Sequence, residues 1–225
     1  MTQTWHDLLF AHWPVDARHL RPRVPAPFAL DLFDGRAWIG IVPFRMTNVA
    51  PRGVPSVPWV SAFPELNVRT YVSVADRPGV YFFSLDAGSA VAVRAARTLL
   101  NLPYHLASMN VTRQGRAVHY ESHRDDERRA EFVATYAPAG EPFIAAEGSL
   151  DYFLTERYCL YHVNRRGAPY RLEIHHPPWT LQPADAHVER NTMAEANALS
   201  VPDEKPLLHF VKRQDMVAWL PSGLR

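Results

Sequence analysis

Residues 63–72 read FPELNVRTYV, and this stretch decides the fold class. Side chains along an extended chain alternate between two faces. Glu65, Asn67, Arg69 and Tyr71 therefore share one face of a strand, and Leu66, Val68, Thr70 and Val72 share the other. An acid, an amide, a guanidinium and a phenol in succession make either a solvent-exposed face or the wall of a polar cavity. Tyr71 speaks for the cavity, because an inward Tyr supplies ring area together with a hydrogen-bonding hydroxyl. Just downstream, Ala75-Asp76-Arg77-Pro78 is turn chemistry, and residues 79–86 (GVYFFSLD) resume as a strand, which predicts a hairpin.

The same pattern recurs in both directions. Residues 37–49 (AWIGIVPFRMTNV) read as a strand in which Pro43 marks a bulge or an edge. Residues 108–113 and 117–123 flank Gln114-Gly115 as a second hairpin. Residues 130–137, 158–164 and 170–174, with a C-terminal pair around His209 and Val217, complete the strands. Helices are few: Ser89–Leu100, capped by Ser89, then Ser149–Glu156, with Trp5–Trp13 a candidate third. The proline-rich segments 51–64 and 177–183 each hold a tryptophan (Trp59, Trp179) and read as ordered loops. No repeat or linker divides the chain. The expectation is a mostly β (α+β) fold in one domain, residues 1–225. A bent antiparallel sheet closes toward a cone or barrel, with two or three short helices.

Composition narrows the function. A chain of 225 residues, 47% hydrophobic, buries roughly 70% of its unfolded surface without a disulfide or metal staple. The formal charge of +1 leaves no basic excess to drive counterion release, so nucleic acid is not an expected partner. No apolar run approaches the ~20 residues of a membrane helix, and residues 1–13 lack a signal-peptide pattern. A cytoplasmic location is the expectation. Of 24 basic residues only Lys205 and Lys212 are lysines, so nearly every positive charge is a guanidinium that cannot serve as an amine nucleophile.

Several constellations are candidates for chemistry. Arg94 and Arg97 lie three apart on one helix face, suited to a carboxylate ligand, to Asp86, or to solvent. The 11 histidines include His119 and His123 on one strand face and the adjacent His175-His176. Neither set has zinc-ligand spacing, so structural histidines are expected and no metal. There is no nucleophile elbow and no Gly-rich phosphate loop, and Cys159 lies among bulky residues as a structural thiol. No cofactor is expected.

The succession of residues 32–46 (LFDGRAWIGIVPFRM), 63–72, 79–87 (GVYFFSLDA), 95–109 (AARTLLNLPYHLASM), 154–163 (LTERYCLYHV) and 175–181 (HHPPWTL) resembles the YqjF-like bacterial proteins of unknown function. These belong to the acetoacetate-decarboxylase-like superfamily, and the likeness runs over about residues 5–219. It implies a bent sheet closed around a central pocket. Acetoacetate decarboxylases carry a segment of the form G-F-P-K-K whose first lysine forms a Schiff base with the β-keto acid. The similar segment here is Asn101-Leu102-Pro103-Tyr104-His105. Tyr104 stands at the reactive lysine's place and His105 at that of its cationic neighbour. Glu65 resembles the pocket glutamate, and Arg97 a basic residue one turn before the active segment.

A phenol cannot condense with a ketone, so Schiff-base decarboxylation is not expected. The resemblance and the residues together suggest binding of a small organic anion or carbonyl metabolite. Glu65, Arg69 and Tyr104 are the catalytic candidates, and Asn67, Tyr71, Arg94, Arg97 and His105 the binding candidates. Lyase, hydratase and isomerase chemistry all stay open, as does oligomerisation. The alternative is a non-catalytic ligand-binding or assembly module built on the loop at 51–64.

Overall fold

One sheet of 14 strands runs through the computed structural model, which describes residues 1–50, 53, 61–124 and 126–224. Its first half comprises β1 (Thr2–Val15), α1 (Ala17–Leu20), β2 (Ala29–Leu30), β3 (Ala37–Ala50), β4 (Phe63–Val74), β5 (Arg77–Ala87), α2 (Ala90–Leu100) and β6 (Tyr104–Gln114). Then follow β7 (Ala117–Arg124), β8 (Ala130–Pro138), β9 (Phe143–Ile144) and α3 (Leu150–Thr155). The chain ends through β10 (Cys159–Val163), β11 (Pro169–His175), β12 (Thr180–Asn191), β13 (Leu207–Ala218) and β14 (Ser222–Gly223). The fold is mostly β, as its sequence patterning predicts.

The sheet closes on itself twice. Nine strands form a ring in the order β5-β6-β7-β8-β12-β13-β1-β3-β4, returning to β5. A second circuit leaves β5 through β10 (Leu160 beside Val80), continues into β11, and rejoins β13 where Ile174 meets Ala218. The strands β5, β4, β3, β1 and β13 are thus a wall common to both circuits. That arrangement explains why every residue of β4 from Glu65 to Val72 is buried. One face of the wall (Leu9, Ile39, Ile41, Leu66, Val68) packs inside the nine-strand ring against Tyr120, Phe132 and Tyr136. The other face carries Trp38 and Tyr71, which pack with Leu160 and Tyr170 of the second circuit. Burying each such large side chain contributes about 1.5–3 kcal/mol.

Local chemistry sets the turns and bends. Ala75 and Asp76 form the two-residue β4–β5 turn with φ of 49° and 58°, the left-handed pair that matches strand twist. Phe83 is the extra residue of a bulge between the Val68 and Arg69 pairings, which bends β5. Pro43 falls where the β1–β3 ladder is interrupted between the His6 and Ala11 pairings, so its missing N–H costs no rung there. Ser89 and Ser149 cap α2 and α3 by accepting from the backbone N–H of Ala92 and Tyr152.

Four sequence expectations are corrected. Trp5–Trp13 is the middle of β1 rather than a helix: the wall is buried on both sides, so Leu8-Leu9-Phe10-Ala11 is apolar without strand alternation. The expected C-terminal pair is a single long strand, β13, with no turn between His209 and Val217. β12 was missed because its alternation exposes charged residues and contains Pro183. The sheet is not wholly antiparallel, since β5 pairs in parallel with β6 and β10, the first through the α2 crossover. Of the expected loop at 51–64, residues 51–52 and 54–60, with Trp59, lie outside the described residues, and Phe63 and Pro64 already belong to β4. Trp179 is buried, its Nε1–H donating to the Thr155 carbonyl at 2.8 Å.

Candidate functional site

The polar face of β4 turns inward, and the register across the wall fixes what surrounds it. Phe44, Glu65 and Ala87 stand side by side on β3, β4 and β5, followed by Val42, Asn67 and Leu85. The next row is Leu207, His12, Gly40, Arg69 and Phe82, from β13 through β1, β3 and β4 to β5. On β6, Tyr104 pairs with Leu85 and so joins this face.

Glu65 is 4% exposed, and its Oε2 accepts the Tyr104 hydroxyl at 2.8 Å. Burial raises the Glu65 carboxyl to about 8; the Tyr104 hydrogen bond works against that rise, and nearby Asp86 adds to it. The Tyr104 phenol is pushed well above its ordinary value, by burial first and the Glu65 charge second. At pH 7 this pair therefore holds a neutral carboxylic acid beside a neutral phenol.

Arg69 lies buried with its guanidinium carbon 5.1 Å from the Phe10 ring centroid and 5.8 Å from that of Tyr71. Its Nε–H has no protein acceptor, and the buried Asn67 Oδ1 has no protein donor. Tyr71 donates its hydroxyl proton to the Leu154 carbonyl at 2.8 Å and sits 2.7 Å from His12 Nε2. A carbonyl cannot donate, so His12 Nε2 carries the hydrogen toward Tyr71 and Nδ1 is the bare nitrogen. That Nδ1 is buried without a partner. Burial, then Arg69 and His209, hold the His12 imidazole well below its ordinary pKa, which keeps it neutral.

Gly40 makes this crowding workable. A Cβ at that position would lie 3.0 Å from the His12 ring and 3.3 Å from Arg69 Cγ. Its hydrogen is the space over which both side chains lean. Helix α3 covers the assembly: the Leu154 carbonyl accepts the Tyr71 hydroxyl hydrogen bond, and Asp151 Oδ1 lies 3.1 Å from His209 Nε2. Phe153 and Arg157 pack on the Tyr71 ring at 5.3 and 5.1 Å. Both also line a surface cleft of about 510 Å³ with Asp31, Phe33 and Tyr152.

The structure brings Glu65, Asn67, Arg69, Tyr71 and Tyr104 onto one face and sets the other candidates apart. Arg94 and Arg97 are exposed on α2. Arg97 Nε–H donates to the Tyr104 carbonyl at 2.6 Å, tying the helix to the start of β6. His105 follows Tyr104 on a strand and so points the opposite way, its Nδ1 2.6 Å from Asp126 Oδ2. The partner of Asp86 is Arg124, in an ion pair with both side chains fully buried. His12, Gly40, Asp151 and His209 were missed from sequence. An interior strand glycine flags a close approach and is the one signal that pointed there. Lys205 and Lys212 are both exposed. Among the described residues no group of three or more His, Cys, Asp or Glu could hold a metal ion, and no helix is long and apolar enough to cross a membrane.

The family model for an uncharacterised conserved protein, DUF2071, matches residues 2–215. The uncharacterised protein YqjF of Bacillus subtilis (strain 168) is 48% identical over 219 residues, 97% of this chain and 90% of that one. Among solved structures, acetoacetate decarboxylase is similar with a TM-score of 0.69 at 14% identity, over 100% of this chain and 89% of that one. The enduracididine biosynthesis enzyme MppR complexed with pyruvate is similar with a TM-score of 0.68 at 12% identity, over 100% and 90% of the two chains. At those identities the two structures share a fold with this chain, and a fold alone carries no activity.

Proposed function

The chain belongs to the DUF2071 family, the YqjF-like proteins, and from that premise we propose that it binds a small carboxylate- or carbonyl-bearing metabolite against the inner face of β4, without imine chemistry. The observation that carries this reading is the buried Glu65–Tyr104 pair on the same strand face as an Arg69 Nε–H that no protein group accepts. An unused buried donor on a guanidinium costs free energy unless something meets it. A small carboxylate or carbonyl oxygen is the natural acceptor. The relation in fold to a protein complexed with pyruvate agrees with that ligand class.

Glu65 is the proton carrier of this reading. As a neutral acid it gives a proton to an enolate carbon or a leaving oxygen; as its conjugate base it takes one from carbon beside a carbonyl. Tyr104 steadies the carboxylate form by its hydrogen bond and stands close enough to polarise a ligand oxygen. Lyase, hydratase and isomerase reactions all use such a carrier beside an anion clamp. The lysine-dependent route is excluded from the proposal because both lysines are exposed. The cleft against α3 is the approach assigned here, because Phe153 and Arg157 border both that cleft and the Tyr71 ring.

Calorimetric titration with pyruvate and acetoacetate tests the reading. Binding is expected in the wild type, weakened at least tenfold in Arg69→Met, and retained in Glu65→Gln with loss of any turnover. Equal affinity in wild type and Arg69→Met, at unchanged stability, would overturn it. Full affinity in Glu65→Gln with no turnover in either protein would favour the non-catalytic ligand-binding alternative.

A further inference from the structure

Tyr104 reaches Glu65 from the end of a short irregular link. Helix α2 ends at Leu100 and β6 begins at Tyr104, so Asn101, Leu102 and Pro103 make the whole connection. β6 then pairs with β5 only through Leu85 with Tyr104, Asp86 with His105 and Ala87 with Leu106. With so short a ladder, the aim of the Tyr104 ring depends on what fixes the link. Asn101 closes α2 in the left-handed conformation, φ 52°, and its Nδ2–H donates to the Val163 carbonyl of β10 at 2.9 Å. The Tyr170 hydroxyl of β11 donates to the Leu100 carbonyl. The Tyr104 N–H donates to the Leu102 carbonyl at 2.8 Å, and the Pro103 carbonyl accepts the Leu85 N–H at 3.0 Å. Arg97 Nε–H, from the last turn of α2, donates to the carbonyl of Tyr104 itself at 2.6 Å.

Resting on the reading above, we infer that Arg97 and Asn101 are positioning residues: from α2 and its cap they hold the Tyr104 hydroxyl on Glu65 Oε2, and so set how readily Glu65 gives up and takes back its proton. A carboxylate gains more from a hydroxyl donor than a carboxylic acid does, so a Tyr104 that drifts away favours the protonated acid. The other titratable or charged groups around Glu65 stand elsewhere. They are Asp86 of β5 with its partner Arg124 of β7, Arg69 further along β4, and Tyr120 of β7, whose hydroxyl donates to the Glu65 carbonyl at 2.7 Å. The two ties therefore act on Glu65 through Tyr104.

Infrared difference spectra, each protein against its Glu65→Gln counterpart, follow the Glu65 carboxyl band from pH 5 to 10 without ligand. Tyr104→Phe is expected to raise the titration midpoint by about one pH unit, the worth of one hydrogen bond to a charged group. Arg97→Met combined with Asn101→Gly should raise it by about half as much or more. Glycine keeps the left-handed cap, so α2 persists and only the tie is lost. Added to Tyr104→Phe, the same two substitutions should raise the midpoint no further, which separates positioning from the mere loss of the Arg97 charge. Asn101→Gly alone serves if the combined variant does not fold, with the same direction expected. An unmoved midpoint, or a shift that adds fully to that of Tyr104→Phe, would overturn the positioning role and leave ligand binding, read by the pyruvate titration, untouched. Absence of a Glu65 carboxyl band at pH 7 in the wild type would overturn the proton carrier and this inference together.

Discussion

The carboxyl of Glu65 makes folding itself sensitive to pH, in a direction unusual for an acid. In the unfolded chain it ionises near 4.5, and in the folded protein near 8, because burial disfavours the charge. Between those values the folded state holds a proton that the unfolded state has released. Its contribution is therefore fully present below pH 4.5 and is lost as pH rises through 8. Linkage gives a slope of about −1.4 kcal/mol per pH unit in that window, and so a loss of a few kcal/mol between pH 5 and 8. Urea unfolding of wild type and Glu65→Gln across this range measures it. Other titrating groups are common to both proteins, including His12 and His209, whose lowered pKa values act with the opposite sign. The wild-type curve should fall relative to the Gln curve by a few kcal/mol over three pH units. Parallel curves would refute the assignment of a buried, proton-holding Glu65.

Three further outcomes are expected. Gly40→Ala should lose about 1 kcal/mol in the same assay, because the His12 ring that would have to yield is pinned by Tyr71, outweighing the entropy gained over glycine; a stabilised variant would refute the crowding argument. Arg124→Met should cost about 3–5 kcal/mol by stranding Asp86 in the nine-strand ring, and adding Asp86→Asn should restore much of it; a neutral single variant would contradict the pairing. Borohydride with acetoacetate should leave no covalent adduct detectable by mass spectrometry, and an adduct on Lys205 or Lys212 would show that imine chemistry survives.

The β4 face was legible because period-2 alternation is a local signal and the strand between Phe63 and Val74 carries no interruption. The turn at Ala75-Asp76 and the caps at Ser89 and Ser149 were legible for the same reason: each depends on a few neighbouring residues. β1 was not, since a strand buried on both sides shows no alternation to read. Nor was the separation of His105 from Tyr104, although two adjacent strand residues cannot face one way; the likeness to a Lys-Lys segment drew them together. His12 and His209 belong to the site through pairings nearly 200 residues apart, and contacts of that range leave no trace in local pattern. Arg97 carried a real constraint, but its partner is a backbone carbonyl rather than a ligand.

The common wall also sets how this chain can change over time. Most sheets have a forgiving side, where an inserted residue merely reshuffles groups in contact with water. β4 has none between Glu65 and Val72. A single-residue insertion there would drive Glu65, Asn67 and Arg69 into the hydrocarbon around Tyr120 and Phe132 and deliver Leu66 and Val68 to the polar side. Length variation in this lineage should accordingly collect in β12, where seven of twelve residues are exposed, and spare the five strands that serve two interiors at once.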